Sequence, residues 1–207
     1  NPLNISTLSL TTFSFKQVDI NVWSAPDNVK FKLVFVTSVS SVNDGIDNKK
    51  EIFAGILIIG NEILSGRTLD TNTSTLSIWL NSLGIKVQEA RTIPDIEEII
   101  IKNVNELRKK YNYIFTTGGI GPTHDDITAS SISKVFGIEY GPHKDAMSIL
   151  EKYYKPGEFN EGRQKMACMP TSANLILNPT SGAPGFNVEN VFCLPGVPSI
   201  LKSMIGG

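Results

Sequence analysis

The chain has no basic stripe: its formal net charge is −1 and its longest basic run is Arg108-Lys109-Lys110. Nucleic-acid binders concentrate Lys and Arg on one surface, so that class of partner is not expected. No apolar run approaches the length of a membrane-spanning helix, and the longest, Ile52–Ile59, is the size of a buried strand. No membrane association is expected either. Cysteine is scarce: Cys168 and Cys193 each sit among apolar neighbours, with no second Cys or His at ligand spacing. They read as reduced, packed thiols of a cytoplasmic protein rather than as a disulfide or metal pair. The Rossmann and Walker glycine spacings are missing, as are a Ser–His–Asp pattern and a zinc-type cluster. Residues 1–50 contain no Arg, Glu or His. That composition, without a compact apolar core segment, fits neither a mitochondrial nor a secretory leader. Methionine first occurs at Met147, and the last residues, Met204-Ile205-Gly206-Gly207, read as the opening of a helix. The chain is therefore expected to be a fragment.

What is present is ordinary globular material, with 41% hydrophobic and 19% charged residues. Residues 1–50 form an extension of uncertain role, rich in Ser, Thr, Asn and Val, with Phe31–Thr37 as a candidate strand and Phe13–Val22 as a weaker one. An added strand pair, an arm for dimer contacts and foreign sequence all fit. Residues 51–207 are read as the main domain, truncated at its C-terminus. Ile52–Ile59 is continuously apolar and ends at Gly60, as a strand buried on both faces should be. Leu76, Trp79, Leu80 and Leu83 then recur at helical spacing, with Asp70 or Thr71 to cap and Gly84 to terminate. Ile85–Ala90 alternates as a strand. A second amphipathic helix follows Pro94, capped by Asp95. Tyr113–Thr117 is a third strand, and a third helix covers about 127–136 up to Gly137. A fourth helix is opened by Pro142, and Leu175–Leu177 and Val188–Leu194 are later strands. Strands alternating with helices predict βαβ units, a mainly parallel sheet and helices on both faces. Ligands of such sheets bind beyond the C-terminal strand ends.

The strongest chemical signal lies there. Thr116-Thr117-Gly118-Gly119-Ile120-Gly121-Pro122-Thr123-His124-Asp125-Asp126-Ile127-Thr128 joins a buried strand to a helix. Glycines at such a joint let the backbone approach a ligand and turn N–H groups toward phosphate oxygens. A tight turn with Asp125 or Asp126 capping the helix is the plainer reading. A cap needs only one carboxylate, and two adjacent ones fit a Mg²⁺ held between protein and phosphates better. After the first strand, Gly60-Asn61-Glu62-Ile63-Leu64-Ser65-Gly66-Arg67 offers an amide, a carboxylate, a hydroxyl and a guanidinium. Alone it would pass for a polar loop; its place on the same sheet edge favours a site. Asp95, after the second strand, is explained by capping alone. Two Pro/Gly turns, around Gly182 and Pro195-Gly196, flank a late strand and can be purely structural. Arg163 and Lys165 fit either phosphate pairing or a solvated helix face, and His124 reads as a loop residue near the ligand, not as a catalyst.

Taken in order, Gly60–Gly66, Asp70-Thr71-Asn72, Gly118–Thr128, Ala183-Pro184-Gly185-Phe186 and Pro195-Gly196-Val197-Pro198 resemble the molybdopterin-binding (MoaB/MogA-like) domain. Within it, the resemblance is to the CinA-type branch, which includes the domain attached to eukaryotic FAD synthases. It covers nearly all of the chain from Ile52 and excludes residues 1–50. It implies a three-layer α/β/α fold and a homo-oligomer. In the adenylyltransferase branch the glycine loop and its aspartate bind pterin phosphate, Mg²⁺ and ATP. Asp126 matches that aspartate, and Asp95 matches a second acidic position. Ile120 in place of Thr, the pair Asp125-Asp126 and the lack of a Ser/Arg-rich first loop favour the CinA side. There the reported activity is a metal-dependent pyrophosphatase acting on ADP-ribose or related dinucleotides.

The resulting expectation is a hydrolase with Asp126, Asp125, Glu62 and Asp95 as catalytic carboxylates, of which Asp125 and Asp126 hold Mg²⁺ or Co²⁺. Gly60, Asn61, Ser65, Gly118, Gly119, Gly121, Pro122, Thr123, Thr128, Gly182, Pro195 and Gly196 would contact a nucleotide or pterin phosphate. Adenylyl transfer to molybdopterin and a non-catalytic nucleotide- or pterin-binding module are the alternatives.

Overall fold

The computed structural model describes the backbone of residues 10–24, 29–43 and 46–206, and the side chains of residues 51–206. In chain order the elements begin with β1 (Leu10–Ser24), β2 (Val29–Asn43), β3 (Ile46–Ile59), α1 (Asn61–Leu64), α2 (Asn72–Ser82) and β4 (Ile85–Ile93). They continue with α3 (Glu97–Lys110), β5 (Tyr113–Thr117), α4 (Thr128–Phe136), β6 (Tyr140–Pro142) and α5 (Lys144–Tyr153). The last are α6 (Glu161–Lys165), β7 (Cys168–Pro170), β8 (Asn174–Ile176), β9 (Gly185–Val188), β10 (Val191–Leu194) and α7 (Pro198–Met204).

Eight strands form one sheet in the order β2-β1-β8-β9-β10-β5-β3-β4, with β2 also paired to the first part of β3. The four strands β10, β5, β3 and β4 run parallel and carry the expected βαβ pattern. The remaining pairings are antiparallel, including the two strand candidates of the N-terminal stretch, which pair with one another as β1 and β2.

Strand periodicity divides the core in two. Along β3, Leu57 and Ile59 face α3, α4 and α5, joining Ile100, Val104, Ile132, Ala146 and Leu150. Ile56 and Ile58 face the other way, onto Leu76 and Leu80 of α2 and Leu201 and Met204 of α7. Phe115 and Phe192 stack in that second layer, their ring centroids 4.9 Å apart. The result is the three-layer α/β/α arrangement, and it explains why β3 is apolar at successive positions.

Edge strand β4 keeps the alternation seen in its sequence. Toward α3 it presents Glu89 and Arg91. Glu89 bonds Lys110, Tyr111 and Arg91, which pull its carboxyl down to about 2, and Arg91 also reaches Glu106. Charges turned inward on an edge strand discourage pairing with another chain.

Several local expectations need correction. Asp95 does not cap α3: the capping position is Ile96, and no side chain bonds the helix start. Neither Asp125 nor Asp126 caps α4, whose cap residue is Ile127. Helix α5 is opened by His143 rather than Pro142. The buried imidazole accepts from Ala146 N–H at 3.5 Å through Nδ1, while Nε2 lies 3.1 Å from the Ala173 carbonyl. The run Val188–Leu194 is not one strand but the arms of a hairpin, turning at Glu189-Asn190 with Glu189 at φ 48°. At α2 the cap residue is Thr71, whose side chain makes no cap bond, and Asp70 serves the helix start from one position earlier. The Asp70 carboxylate accepts the N–H groups of Asn72 and Thr73, and Gly84 ends the turn at φ 84°.

Candidate functional site

The four parallel strands end at one edge of the sheet, and their loops meet there. Gly118 N–H donates to Leu194 O at 3.1 Å, which carries the β5–β10 ladder one step past the strands. A Cβ on Gly118, at φ 101°, would overlap the Ile59 carbonyl oxygen. Gly196 packs so that an added Cβ would lie 3.3 Å from Gly118 Cα. From the first loop, Gly60 N–H donates to Ile93 O at 3.1 Å and Asn61 N–H to Asp95 Oδ2 at 2.8 Å. The loops after β3, β4, β5 and β10 are thereby bonded or packed into a single cluster.

Within the glycine loop, Thr128 is a brace. It is buried, its hydroxyl donates to Gly118 O at 2.9 Å, and its N–H donates to Gly119 O at 2.9 Å. Gly119, at φ 68°, has no room for a Cβ against that hydroxyl. Asp126 Oδ2 accepts both the N–H and the hydroxyl of Thr123, at 2.8 and 2.6 Å, which closes the far side of the loop. Among the described residues the N–H groups of Gly119, Ile120 and Gly121 have no protein acceptor. Successive backbone N–H groups without a protein acceptor are the kind of donors an anion-binding loop uses. The N–H of Gly118 is not one of them, being committed to Leu194.

The carboxylates are arranged unequally. Asp95 is half-buried and its carboxyl is raised above the ordinary range, first by burial and further by the negative charges of Glu62 and Asp126. The Asn61 N–H only partly offsets this. Asp95, Glu62 and Asp126 thus share one electrostatic neighbourhood. Asp125 turns out to solvent, 2.9 Å from His124 Nε2. Among the described residues no group of three or more His, Cys, Asp or Glu side chains forms a ready-made metal cage. Mg²⁺ does not need one, since it binds through one or two carboxylates together with water and substrate phosphates. Asp126, whose Oδ1 carries no hydrogen bond, and the uncompensated charge felt by Asp95 suit such a cation.

The remaining candidates separate by position. Ser65 Oγ donates to Glu62 O at 3.2 Å and accepts from Arg67 Nε at 3.2 Å, so it shapes the first loop. Pro122 and Thr123 lie exposed on the glycine loop, and Pro195 leads into Gly196. Gly182 packs against the ring of Tyr153, 2.6 Å from an added Cβ, and not against a residue of the glycine loop. Sequence reasoning missed Asn72 as a site residue. It is buried, and its Nδ2 donates to Gly196 O at 2.8 Å and approaches Thr117 Oγ1 at 3.4 Å, tying three loops together. With Glu62, Asp70, Thr117 and Gly196 it lines a cavity of about 40 Å³. The Asp-x-Asn pattern at the start of α2 was the available signal.

Residues 55–206 match the family described as "Probable molybdopterin binding domain". The chain belongs to that family. Its likeness to the crystal structure of the protein CinA from Thermoplasma acidophilum places it in the CinA-type branch, with 31% identity and a TM-score of 0.69 over 73% of this chain and 92% of the other. A CinA-like protein of Geotalea uraniireducens is 38% identical over 72% of the chain. A protein of Aeropyrum pernix is also 38% identical, over 73%. The chain spans 37% and 59%, respectively, of the length of those two relatives. The family match begins within β3, so the glycine loop, the first loop and Asp95 all belong to the CinA-type domain. No described helix is long and apolar enough to cross a membrane.

Proposed function

We propose that this CinA-type domain is a metal-dependent nucleotide pyrophosphatase, hydrolysing the diphosphate linkage of ADP-ribose or a related dinucleotide. The observation that carries this reading is a free row of loop N–H groups beside a carboxylate whose affinity for a proton is raised. Gly119, Ile120 and Gly121 bind the oxygens of one phosphate. Asp126, with Asp125 beside it in the loop, would hold Mg²⁺ or Co²⁺. Such an ion, when bound, supplies polarisation of the phosphoryl oxygen and neutralises the leaving group. Glu62 orients the attacking water and Asp95 takes its proton as the oxygen adds to phosphorus and the bridging P–O bond breaks. AMP and a sugar phosphate leave. The protein is read as cytoplasmic and as a homo-oligomer, in keeping with exposed Leu69 and Ile78 on the segment leading into and along α2. Light scattering that gives a monomer removes that last point.

The test is incubation with ADP-ribose, and separately with FAD, plus Mg²⁺ or Co²⁺, followed by chromatography for AMP. Metal-dependent AMP release is expected, and its absence from both substrates overturns the reading. The family's description names a pterin as ligand, and in that event the second reading is adenylyl transfer to it, recognised by an adenylylated pterin formed from ATP. Nucleotide or pterin binding without turnover would leave a non-catalytic module.

Asp95→Asn separates chemistry from stability. The amide oxygen can still accept the Asn61 N–H, so the first loop keeps its anchor. Wild-type Asp95 has a raised pKa, so its charge disfavours the folded state at neutral pH. That unfavourable contribution disappears as pH falls through the folded-state value. The variant should melt at the same or a higher temperature at pH 7, the difference shrinking on acidification. Its AMP release should drop about 10²- to 10⁴-fold, the range of a general base, and lose the acid limb of its pH profile. An acid limb unchanged in the variant assigns the base elsewhere.

A further inference from the structure

Lys165, at the end of α6, donates from its ammonium to the carbonyl oxygen of Thr123 in the glycine loop, across 42 residues of sequence. We propose that Lys165 is a phosphate-contacting residue of this site, brought to the glycine loop by the α6–β7 connection. The proposal rests on the reading that the loop takes a phosphate-bearing ligand.

Three observations carry it. First, the lysine is held in place rather than set on a solvated helix face. Asn160 Oδ1 caps α6 by accepting Arg163 N–H at 3.1 Å. The next elements are buried: Ala167 and Met169 enter the same core layer as Ala129 and Ile132 of α4, the helix that begins where the glycine loop ends. Lys165 itself is half-buried. Second, its charge is not spent. An ammonium has three donors, and a neutral carbonyl takes one without neutralising the cation. Lys165 has no carboxylate partner among the described residues, a feature it shares with Lys102, Lys109, Lys144, Lys152, Lys155 and Lys202, and of these it is the one bonded to the glycine loop. Third, the site needs it. Glu62, Asp95 and Asp126 share one electrostatic neighbourhood, which puts negative charge beside a loop read as taking a dianionic or trianionic ligand. The guanidinium of the first loop, Arg67, also bonds a neutral oxygen, Ser65 Oγ, through Nε, but no bond ties it to the glycine loop among the described residues. Thr123 connects Lys165 directly to the working end of the loop, since its own N–H and hydroxyl both go to Asp126.

Arg163 is excluded from this role. Its guanidinium lies 4.2 Å from the Tyr154 ring centroid and is also bonded to Glu158.

Lys165→Met keeps the aliphatic stem and removes the ammonium, and Lys165→Arg keeps the charge. Calorimetric titration with ADP and Mg²⁺ at low salt should show affinity weakened about tenfold or more in Lys165→Met, as expected for loss of a charge-assisted contact. Lys165→Arg should stay within about threefold of the wild type. The difference between wild type and Lys165→Met should shrink at high salt, because screening weakens an exposed charge contact. Melting temperatures should be alike in all three. Equal ADP affinity in Lys165→Met, a loss that Arg does not restore, or a loss indifferent to salt marks Lys165 as a strut and overturns the proposal, as does a wild type that binds no ADP. A wild type that binds ADP with the expected dependence on Lys165, yet releases no AMP from ADP-ribose, keeps the lysine and discards the hydrolytic reading. AMP release with unaltered ADP affinity in Lys165→Met does the reverse.

Discussion

Asp126→Asn is expected to lower metal-dependent AMP release about 10²-fold or more while the domain stays folded. The two halves of that expectation have separate grounds. Folding survives because what Asp126 does within the protein is accept two hydrogen bonds, from Thr123 N–H and Thr123 Oγ–H, through one oxygen. An asparagine oxygen at the same place accepts both. Activity falls because the neutral amide is a far poorer ligand for a hard divalent cation than a carboxylate. A second effect runs in the same direction. The negative charge of Asp126 is one of the causes that raise the Asp95 carboxyl. Without it Asp95 titrates lower, becomes a weaker base, and shifts the acid limb of the pH profile to lower pH. Two measurements on one variant, turnover and the position of that limb, therefore report on the metal-holding and electrostatic roles separately. Near-normal turnover would remove Asp126 from the mechanism.

The parts of this site that could be read from the sequence are those encoded by neighbours. The apolar run before Gly60, the short strand before Gly118 and the glycine at the end of α4 are local patterns, and the structure puts each where the pattern does. From its neighbours alone Asp95 was legible as a helix cap, and only the family resemblance marked it as a site residue, because capping signals lie within a few residues while its real partner, Asn61 N–H, is 34 residues away. The late hairpin was invisible because its turn uses Glu189 at positive φ where Gly, Asn or Asp is the usual marker. Thr128 illustrates the converse case. It belongs to the loop motif and so reads as a ligand contact, yet its hydroxyl is turned inward to Gly118 O. A motif identifies which residues are needed together, without saying which of them touch the ligand and which hold the others in place. The same limit applied to Lys165, whose neighbours in sequence look like any charged helix end.

Gly118→Ala is the substitution expected to do most damage to the fold, and it is best measured against Gly137→Ala. Both glycines have positive φ, 101° and 64°, so both alanines pay a conformational cost of about 1–2 kcal/mol. At Gly137, the C-cap of α4, an added Cβ meets nothing within 4 Å, and the cost should end there. At Gly118 the added Cβ would overlap the Ile59 carbonyl oxygen, which is backbone in a strand hydrogen-bonded on both sides. Neither partner can give way cheaply. Relief requires β5 to separate from β3 just where Gly118 N–H continues the ladder to Leu194 O. A total loss of about 4 kcal/mol or more is expected at Gly118, in the range reserved for a broken core or backbone. Against a typical domain stability of about 5–15 kcal/mol, that leaves a partly unfolded or insoluble protein at 37 °C. Chemical denaturation of the two variants in parallel provides the comparison. Equal midpoints would mean that β3 and β5 do not close on one another at Gly118, and the cluster of loops built on that contact would have to be redrawn.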